Sequence, residues 1–231
     1  MQHIHQRHNI YAGIHKGMRA MMGQALVNAG RTDWSDAVDR EAALVELREL
    51  CAFCRAHLDH ENAFIHPAME AGAPGSAHRV ADEHEEHLVA IAALERQMDV
   101  IAAATGALRL IAGEALYRQL ALFVAENVVH MNVEETEHNA VLWAHYSDTE
   151  IDAIHQALVS SLSPQETMQC LRWMLCFSSH DERIGILTDL RDHAPPPVFE
   201  AVLTMLRPLL GDRDRAKLDA ALLSSEARQA A

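Results

Sequence analysis

The stretch that decides both the fold and the site is HMNVEE at residues 130–135, late in the longest helical pattern of the chain. An earlier stretch, HLDHEN at residues 57–62, shares its main feature, because both place a histidine four residues before a glutamate. On an α-helix, side chains four residues apart project from the same face, one turn above the other. An imidazole and a carboxylate in that arrangement suit a metal ion, although a chain with 16 histidines and 33 acidic residues also produces such pairs by chance.

Length and composition favour a helical protein with a substantial core. The chain has 231 residues, enough for one large domain or for a medium domain with an extension. Hydrophobic residues make up 49% of it, with much alanine and leucine and few aromatic residues, a balance that favours helix over sheet. We therefore expect an all-α protein.

Charge and hydropathy argue against several classes of partner. The formal net charge is -14 with only 19 lysines and arginines, so the chain would repel a nucleic-acid backbone and an anionic membrane surface. No apolar run approaches the roughly 20 residues of a membrane span. The N-terminus is polar and histidine-rich, unlike a signal peptide. We expect no nucleic-acid partner, no membrane and a cytoplasmic location.

Helical periodicity predicts four long helices in the first part of the chain. They span about 9–30, about 36 to the mid-60s, about 76–105 and about 107–145. Pro67 should end or kink the second of them. Long amphipathic helices with short connections are typical of an up-down-up-down bundle, which we predict over residues 9–146.

Beyond Tyr146 the pattern changes to shorter helices with repeated start signals. Ser147-x-x-Glu150, Ser163-Pro-x-Glu166 and Ser179-x-x-Glu182 each have the form of a capping box. We predict an extension of about five short helices over residues 147–231. It contains no candidate site, and its helices offer a surface for a homodimer contact or a protein partner.

Four histidines fall at matching heights in such a bundle. Each stands about as far from its turn as its counterpart on the neighbouring antiparallel helix, to within the few residues by which helix ends vary. These histidines are His15, His57, His84 and His130. Each helical hairpin then contributes two histidines and one carboxylate, which is Glu61 in the first hairpin and Glu134 in the second.

Two facing half-sites of this kind predict a dinuclear metal centre. Glu61 and Glu134 are placed to bridge the two ions, and the histidines would be terminal ligands. Carboxylate oxygens combined with imidazoles suit iron or manganese. The remaining coordination positions would hold solvent, O2 or another small ligand.

Residues 9–146 resemble the hemerythrin-like (HHE cation-binding) domains. The resemblance rests on the single histidine of the first helix, the His-x-x-x-Glu motif of the second, the Glu83-His84 pair of the third, and the HMNVEE stretch. It is strongest for members with four histidines and two glutamates, such as the iron-centre repair proteins. It implies two iron ions with an oxo or hydroxo bridge, with manganese or zinc as alternatives. The ligands it implies are His15, His57, Glu61, His84, His130 and Glu134.

The chain departs from the oxygen-carrying members of that family. Those members have a His-x-x-x-His pair on the third helix and an aspartate five residues after the last histidine. Here the third helix has His84-x-x-His87, and Glu135 stands where the aspartate would be. His66 stands where such domains often have phenylalanine. His87 lies on almost the same helix face as His84 and could replace or join it as a ligand, and the departures together weigh against reversible O2 carriage.

Three functional hypotheses follow. The first is a non-haem di-iron protein that binds or reacts with O2, NO or peroxide in sensing, storage or stress defence. The second is an enzyme, either an iron-donating repair factor for iron-sulfur centres or a di-iron oxidoreductase. The third is a non-catalytic interaction module clamped by its metal, with the C-terminal helices as the binding surface. The same six ligands serve all three.

Four further residues have lesser expected roles. Tyr11 precedes the first histidine by one turn, and we expect it either to pack as an ordinary core tyrosine or to reach the site as a hydrogen-bond donor. Glu135 directly follows the predicted ligand Glu134 and is expected to lie just outside the ligands. Cys51 and Cys54 are expected to pack as small buried residues, since four cysteines in so long a chain do not indicate a disulfide framework.

Overall fold

The computed structural model describes residues 7–229, with side chains described as far as Leu223, and every regular element within those residues is helical. The prediction of an all-α protein, with a four-helix bundle and C-terminal helices, is confirmed for that part of the chain. The helices of the first part are α1 (Ala12–Arg31), α2 (Ala37–His60), α3 (His66–Gly72), α4 (His78–Ala103), α5 (Gly106–Val133) and α6 (Asn139–His145).

Two of the four long helices of the bundle are interrupted by a π-turn. Glu61–Ile65 joins α2 to α3, and Glu134–His138 joins α5 to α6. A π-turn has hydrogen bonds between residues five apart, so it holds one more residue than an α-helical turn and changes which side chains share a face. Both π-turns begin at the glutamate of a His-x-x-x-Glu motif, and therefore both hairpins bend their backbone at the same functional position.

Pro67 does not end the second helix. It lies in the first turn of α3, and the chain stays helical to Gly72. A proline inside an α-helix normally removes a backbone hydrogen bond and clashes with the carbonyl four residues earlier. At Pro67 the preceding π-turn has already changed the hydrogen-bonding pattern, so the proline occupies a position like the first turn of a new helix.

The bundle core consists of apolar side chains at helical spacing on the inner faces. On α2 the buried residues include Leu44, Leu47 and Leu50, and on α4 they include Ile91, Leu94 and Met98. Asp36 caps α2, because its side chain accepts hydrogen bonds from the backbone N–H groups of Val38 and Asp39. These apolar layers fix the register of the helices that present the histidines.

Five helices follow the bundle, as predicted. They are α7 (Asp148–Ser161), α8 (Pro164–Phe177), α9 (His180–His193), α10 (Pro196–Leu206) and α11 (Asp212–Gln229). Ser163 with Glu166 and Ser179 with Glu182 form capping boxes. Ser147 and Glu150 exchange the same pair of contacts. None of the helices in the described residues is long and apolar enough to cross a membrane.

The chain forms two compact units that are not consecutive in sequence. Among the described residues, one unit contains 7–12 and Met21–Ser161, and the other contains Gly13–Ala20 and 162–229. Within the second unit, a Cβ at Gly17 would lie 3.2 Å from the backbone of Trp173, so a glycine permits this close approach. The division into consecutive domains at 9–146 and 147–231 stays a prediction.

The residues just before α1 are tied to the end of α6. Arg7 donates to the Asp148 carboxylate at 2.6 Å and to the backbone carbonyls of Trp143 and Tyr146. The indole N–H of Trp143 donates to the His8 carbonyl at 2.8 Å. These contacts hold the chain segment that leads to Tyr11.

Candidate metal centre

Four helices each bring one histidine to the centre of the bundle. His15 lies on α1, His57 on α2, His84 on α4 and His130 on α5. His15 and His84 are fully buried, His130 is 4% exposed, and the His57 side chain is 10% exposed. Glu61 and Glu134, at the starts of the two π-turns, are also buried.

These six side chains form two groups that share both carboxylates. One group is His15, His57, Glu61 and Glu134, and the other is His84, His130, Glu61 and Glu134. Within each group the potential ligand atoms all lie within 4.8 Å of one another. The structure therefore brings together all six residues predicted as ligands, with each pair of histidines facing the same two carboxylates.

Individual distances show how closely the imidazoles approach the carboxylates. Nε2 of His57 lies 3.2 Å from Oε1 of Glu61, and Nε2 of His130 lies 3.3 Å from Oε1 of Glu134. Nε2 of His84 lies 3.5 Å from Oε2 of Glu61 and 3.5 Å from Oε1 of Glu134. Nε2 of His84 on α4 thus lies at the same distance from an oxygen of each carboxylate.

Outer contacts orient two of the rings. Nδ1 of His84 lies 2.8 Å from the Asn62 amide oxygen, and Nδ1 of His130 lies 2.8 Å from Oε2 of Glu83. An acceptor at Nδ1 holds the ring proton there and leaves the lone pair on Nε2, the usual arrangement for a metal-bound histidine. In both residues Nε2 is buried and makes no hydrogen bond within the described residues.

The charges around Glu134 keep its carboxylate ionised. Burial and the nearby charge of Glu61 raise the pKa of Glu134, but His130 and His84 lower it, and the net result is a pKa below the ordinary value. Burial lowers the pKa of His130, whereas Glu134 and Glu83 raise it and prevail. The site therefore holds a buried carboxylate whose negative charge lies next to the imidazoles of His130 and His84.

The donor set fits a pair of cations. Two buried carboxylates supply four oxygens, and four histidines surround them, with the ring nitrogens of His84 and His130 oriented by Asn62 and Glu83. Mixed nitrogen and oxygen ligands of this kind suit iron, manganese and zinc. Buried polar atoms without hydrogen bonds, such as Nε2 of His84, are what a bound ion would satisfy.

His87 is buried but is not part of either group. It is 5% exposed, and its ring packs 4.6 Å from the His130 ring and 6.3 Å from the Phe123 ring. Burial, followed by the proximity of His130, lowers the pKa of His87 to about 4. The structure therefore groups His84, and not His87, with the two carboxylates. Spacing along the helix had left both histidines as candidate ligands.

The two residues predicted to lie just outside the ligands have different surroundings. Tyr11 is buried, and its hydroxyl lies 3.2 Å from Nδ1 of His138. Burial and the charges of Glu61 and Glu134 raise the pKa of Tyr11, so its hydroxyl stays protonated. Glu135 is half-buried and is not among the residues of the ligand groups.

Sequence reasoning missed two histidines beside the site. His66 is 7% exposed and His138 is 2% exposed, and both lie with Glu134 in a further set of potential ligands. The His66 ring stacks on the His84 ring at a centroid distance of 4.8 Å. The available signal for His138 was its position four residues after Glu134. His66 stands five residues after Glu61, and the π-turn brings it to the same side.

Cys51 and Cys54 are buried. Burial raises the pKa of the Cys51 thiol to about 12 and also raises the pKa of Cys54. Both thiols therefore stay protonated near neutral pH, which suits packing and not reactivity.

Comparison with known proteins identifies the class of this bundle. The family model described as the Hemerythrin HHE cation binding domain matches residues 8–141, more than half of the chain. The chain therefore belongs to this family of cation-binding domains, which confirms the predicted family. Searches of curated proteins and of solved structures gave no significant match. All six residues of the two ligand groups lie within the matched range.

Proposed function

We propose that this chain is a non-haem di-iron protein that binds or reacts with O2, NO or peroxide. The observation that carries the proposal is the sharing of Glu61 and Glu134 by two histidine pairs. One carboxylate between two ions lowers their mutual repulsion, and two such carboxylates favour a close metal pair over two separate sites.

Each side chain has a distinct role in this proposal. His15 and His57 are terminal ligands of one ion, His84 and His130 are terminal ligands of the other, and Glu61 and Glu134 bridge them. Asn62 and Glu83 orient the His84 and His130 rings by accepting from Nδ1. When bound, the iron pair would supply one-electron redox chemistry and positions for a small ligand.

The symmetry of the donor set favours redox chemistry over reversible O2 carriage. With His87 outside both groups, each ion receives two imidazoles and the same two carboxylates. An additional protein ligand on one ion would leave a single open coordination position on the other, as reversible O2 binding requires. The six residues supply equal numbers of ligands to the two ions, so they do not create that difference. An oxidoreductase or an iron-donating repair factor for iron-sulfur centres is therefore the second candidate.

Metal content tests the proposal directly. Protein purified from its own host is measured for iron, manganese and zinc per chain, and its optical spectrum is recorded. Two irons per chain with an oxo-bridge charge-transfer band support a di-iron centre. One zinc or no metal would contradict it and would favour a structural clamp or a metal-independent interaction module.

Exposure of the reduced protein to O2 separates the two candidates. A stable adduct that is lost under vacuum favours ligand binding. Rapid oxidation with repeated turnover in the presence of a reductant favours an oxidoreductase. The repair factor needs a separate assay, in which the iron-loaded protein is mixed with an apo iron-sulfur protein. Transfer of iron to that protein favours the repair factor.

A further inference from the structure

Next to the six residues assigned above lies a third set of buried metal-ligand side chains. It consists of His66, Glu134 and His138, whose potential ligand atoms all lie within 4.8 Å of one another. All three residues are at least nine-tenths buried. This set shares Glu134 with the two groups already described, but neither of its histidines belongs to them.

A π-turn gives His66 its place in this set. In an α-helix, residues five apart lie on different faces. The backbone N–H of His66 donates to the carbonyl of Glu61, five residues earlier, and this bond brings His66 back toward the face of Glu61. His138 closes the second π-turn, four residues after Glu134. Each hairpin thus places a histidine one helical turn beyond its bridging carboxylate.

The imidazole of His66 lacks a hydrogen-bond partner where a ligand would be expected. Its Nε2 is buried and makes no hydrogen bond within the described residues. The ring stacks on His84 at 4.8 Å and meets His138 edge-on at 5.7 Å. Buried polar groups in native proteins are nearly always satisfied, so a buried ring nitrogen that makes no hydrogen bond within the described residues is a position that a bound ion would satisfy.

His138 is held in place by a neighbour outside the set. The Tyr11 hydroxyl lies 3.2 Å from its Nδ1 and restrains the ring. In the tautomer that donates from Nδ1 to the Tyr11 oxygen, the lone pair of His138 stays on Nε2, where an ion can bind. A metal-bound histidine usually has such a restraint on its other nitrogen. The set therefore has the two properties of a prepared site, which are converging donors and an outer contact that orients one of them.

We propose that His66, His138 and Glu134 form a third metal position beside the di-iron pair. Two imidazole nitrogens and one carboxylate oxygen suit a divalent first-row ion such as Co(II), Zn(II) or Fe(II), with solvent completing its coordination. The position rests on the proposed function, because Glu134 is also a bridge of the iron pair.

Cobalt titration of the iron-loaded protein tests this position. His8, Asp152 and His155 form another set of potential ligands, so every protein in the experiment carries His155→Ala to remove its contribution. The compared proteins add His66→Phe or His138→Phe, which keep a planar ring. His193→Phe is the matched control, because the His193 side chain is 76% exposed.

Iron and cobalt per chain are counted separately after anaerobic titration and desalting. The reference protein and the His193→Phe control should keep two irons and bind one cobalt. The His66→Phe and His138→Phe proteins should keep two irons, which shows an intact bundle, and should lose at least 90% of the cobalt. Retention of the cobalt visible absorption in the control and its loss in the variants gives a second readout.

Three outcomes would overturn the third position. One is a reference protein that keeps two irons and takes up no cobalt, as expected if only a water molecule lies between His66, His138 and Glu134. Another is unchanged cobalt binding after His66→Phe. The third is loss of iron in the same variants, which would place these histidines in the iron pair itself. Fewer than two irons before titration would instead contradict the proposed function, and cobalt alone would then test whether one equivalent depends on His66.

Discussion

Glu134 belongs to more sets of potential ligands than any other of the described residues. It belongs to both four-residue groups and to the set with His66 and His138. Its Oε1 lies 3.3 Å from Nε2 of His130 and 3.5 Å from Nε2 of His84. The HMNVEE stretch predicts that this residue points inward, because it stands one turn after a histidine. Its position next to both histidine pairs depends on three other helices.

Glu134→Ala should remove metal from both positions of the pair. Loss of a bridging carboxylate takes one ligand from each ion and leaves two buried cations with less negative charge between them. Metal per chain, measured after desalting, should fall from two to below one half. Glu137→Ala, on the exposed side of the same π-turn, is the control and should keep both ions. Loss of only one ion would count against a bridge.

Glu83→Ala should weaken metal binding without removing a ligand. Glu83 accepts from Nδ1 of His130 at 2.8 Å and orients its ring, and loss of such an outer partner typically lowers metal affinity about 10- to 100-fold. Competition with a chromophoric chelator measures the change. The neighbouring exposed Glu86 serves as the matched control through Glu86→Ala. Equal affinities of the two variants would show that Glu83 does not orient His130.

At the scale of elements, the two π-turns are the main difference between expectation and structure. Periodicity predicts the helices and their inward faces well, since an α-helix repeats every 3.6 residues. It does not predict the turns Glu61–Ile65 and Glu134–His138, because the extra residue in each depends on what packs around it. Helix boundaries shift for the same reason, and the helix predicted to end or kink at Pro67 reaches Gly72.

The ion pair between α1 and α9 should give a measurable pH dependence. Lys16 and Ser179 lower the pKa of Glu182 to about 2 from an ordinary value of 4.5. A lowered folded-state pKa means that the contribution to stability is complete above about pH 4.5 and is lost as the pH falls toward about 2. Glu182→Gln should therefore flatten the pH dependence of the unfolding free energy in that window.

The size of that effect should be modest. The Lys16 and Glu182 side chains are 44% and 47% exposed, and solvent screening limits such pairs to about 1 kcal/mol or less. Urea titrations of the metal-depleted protein at several pH values between 2 and 5 measure it. Asp181→Asn, an exposed acid in the same helical turn, should keep the wild-type slope. Identical slopes for both variants would refute the assignment to Glu182.

At the scale of the whole molecule, metal and fold should stabilise each other. The ligands come from four separate helices, so the unfolded chain cannot offer them in one place. An ion that binds only the folded state adds about 2.7 kcal/mol of stability when its free concentration is 100 times its Kd. The metal-depleted protein should therefore melt at a lower temperature than the loaded protein.

Calorimetry of loaded and chelator-treated protein tests this linkage. The melting temperature should rise with added metal and should stop rising once the pair is filled. The Glu134→Ala protein should show little of this rise, because it lacks a ligand for both ions. A melting temperature that is independent of metal in the wild-type protein would show that the four helices assemble their core without help from the site.

The sequence by itself determined the helices, the inward positions of the four histidines and two glutamates, and the family. Each of these follows from short-range spacing, since side chains four residues apart on a helix must share a face. Only the tertiary structure decided which carboxylates each histidine pair shares, that His84 and not His87 joins them, and that Asn62 and Glu83 orient the rings. It also brought His66 and His138 together beside Glu134, because a π-turn moves His66 to the face of Glu61, and the formation of that turn depends on packing between helices and not on local spacing.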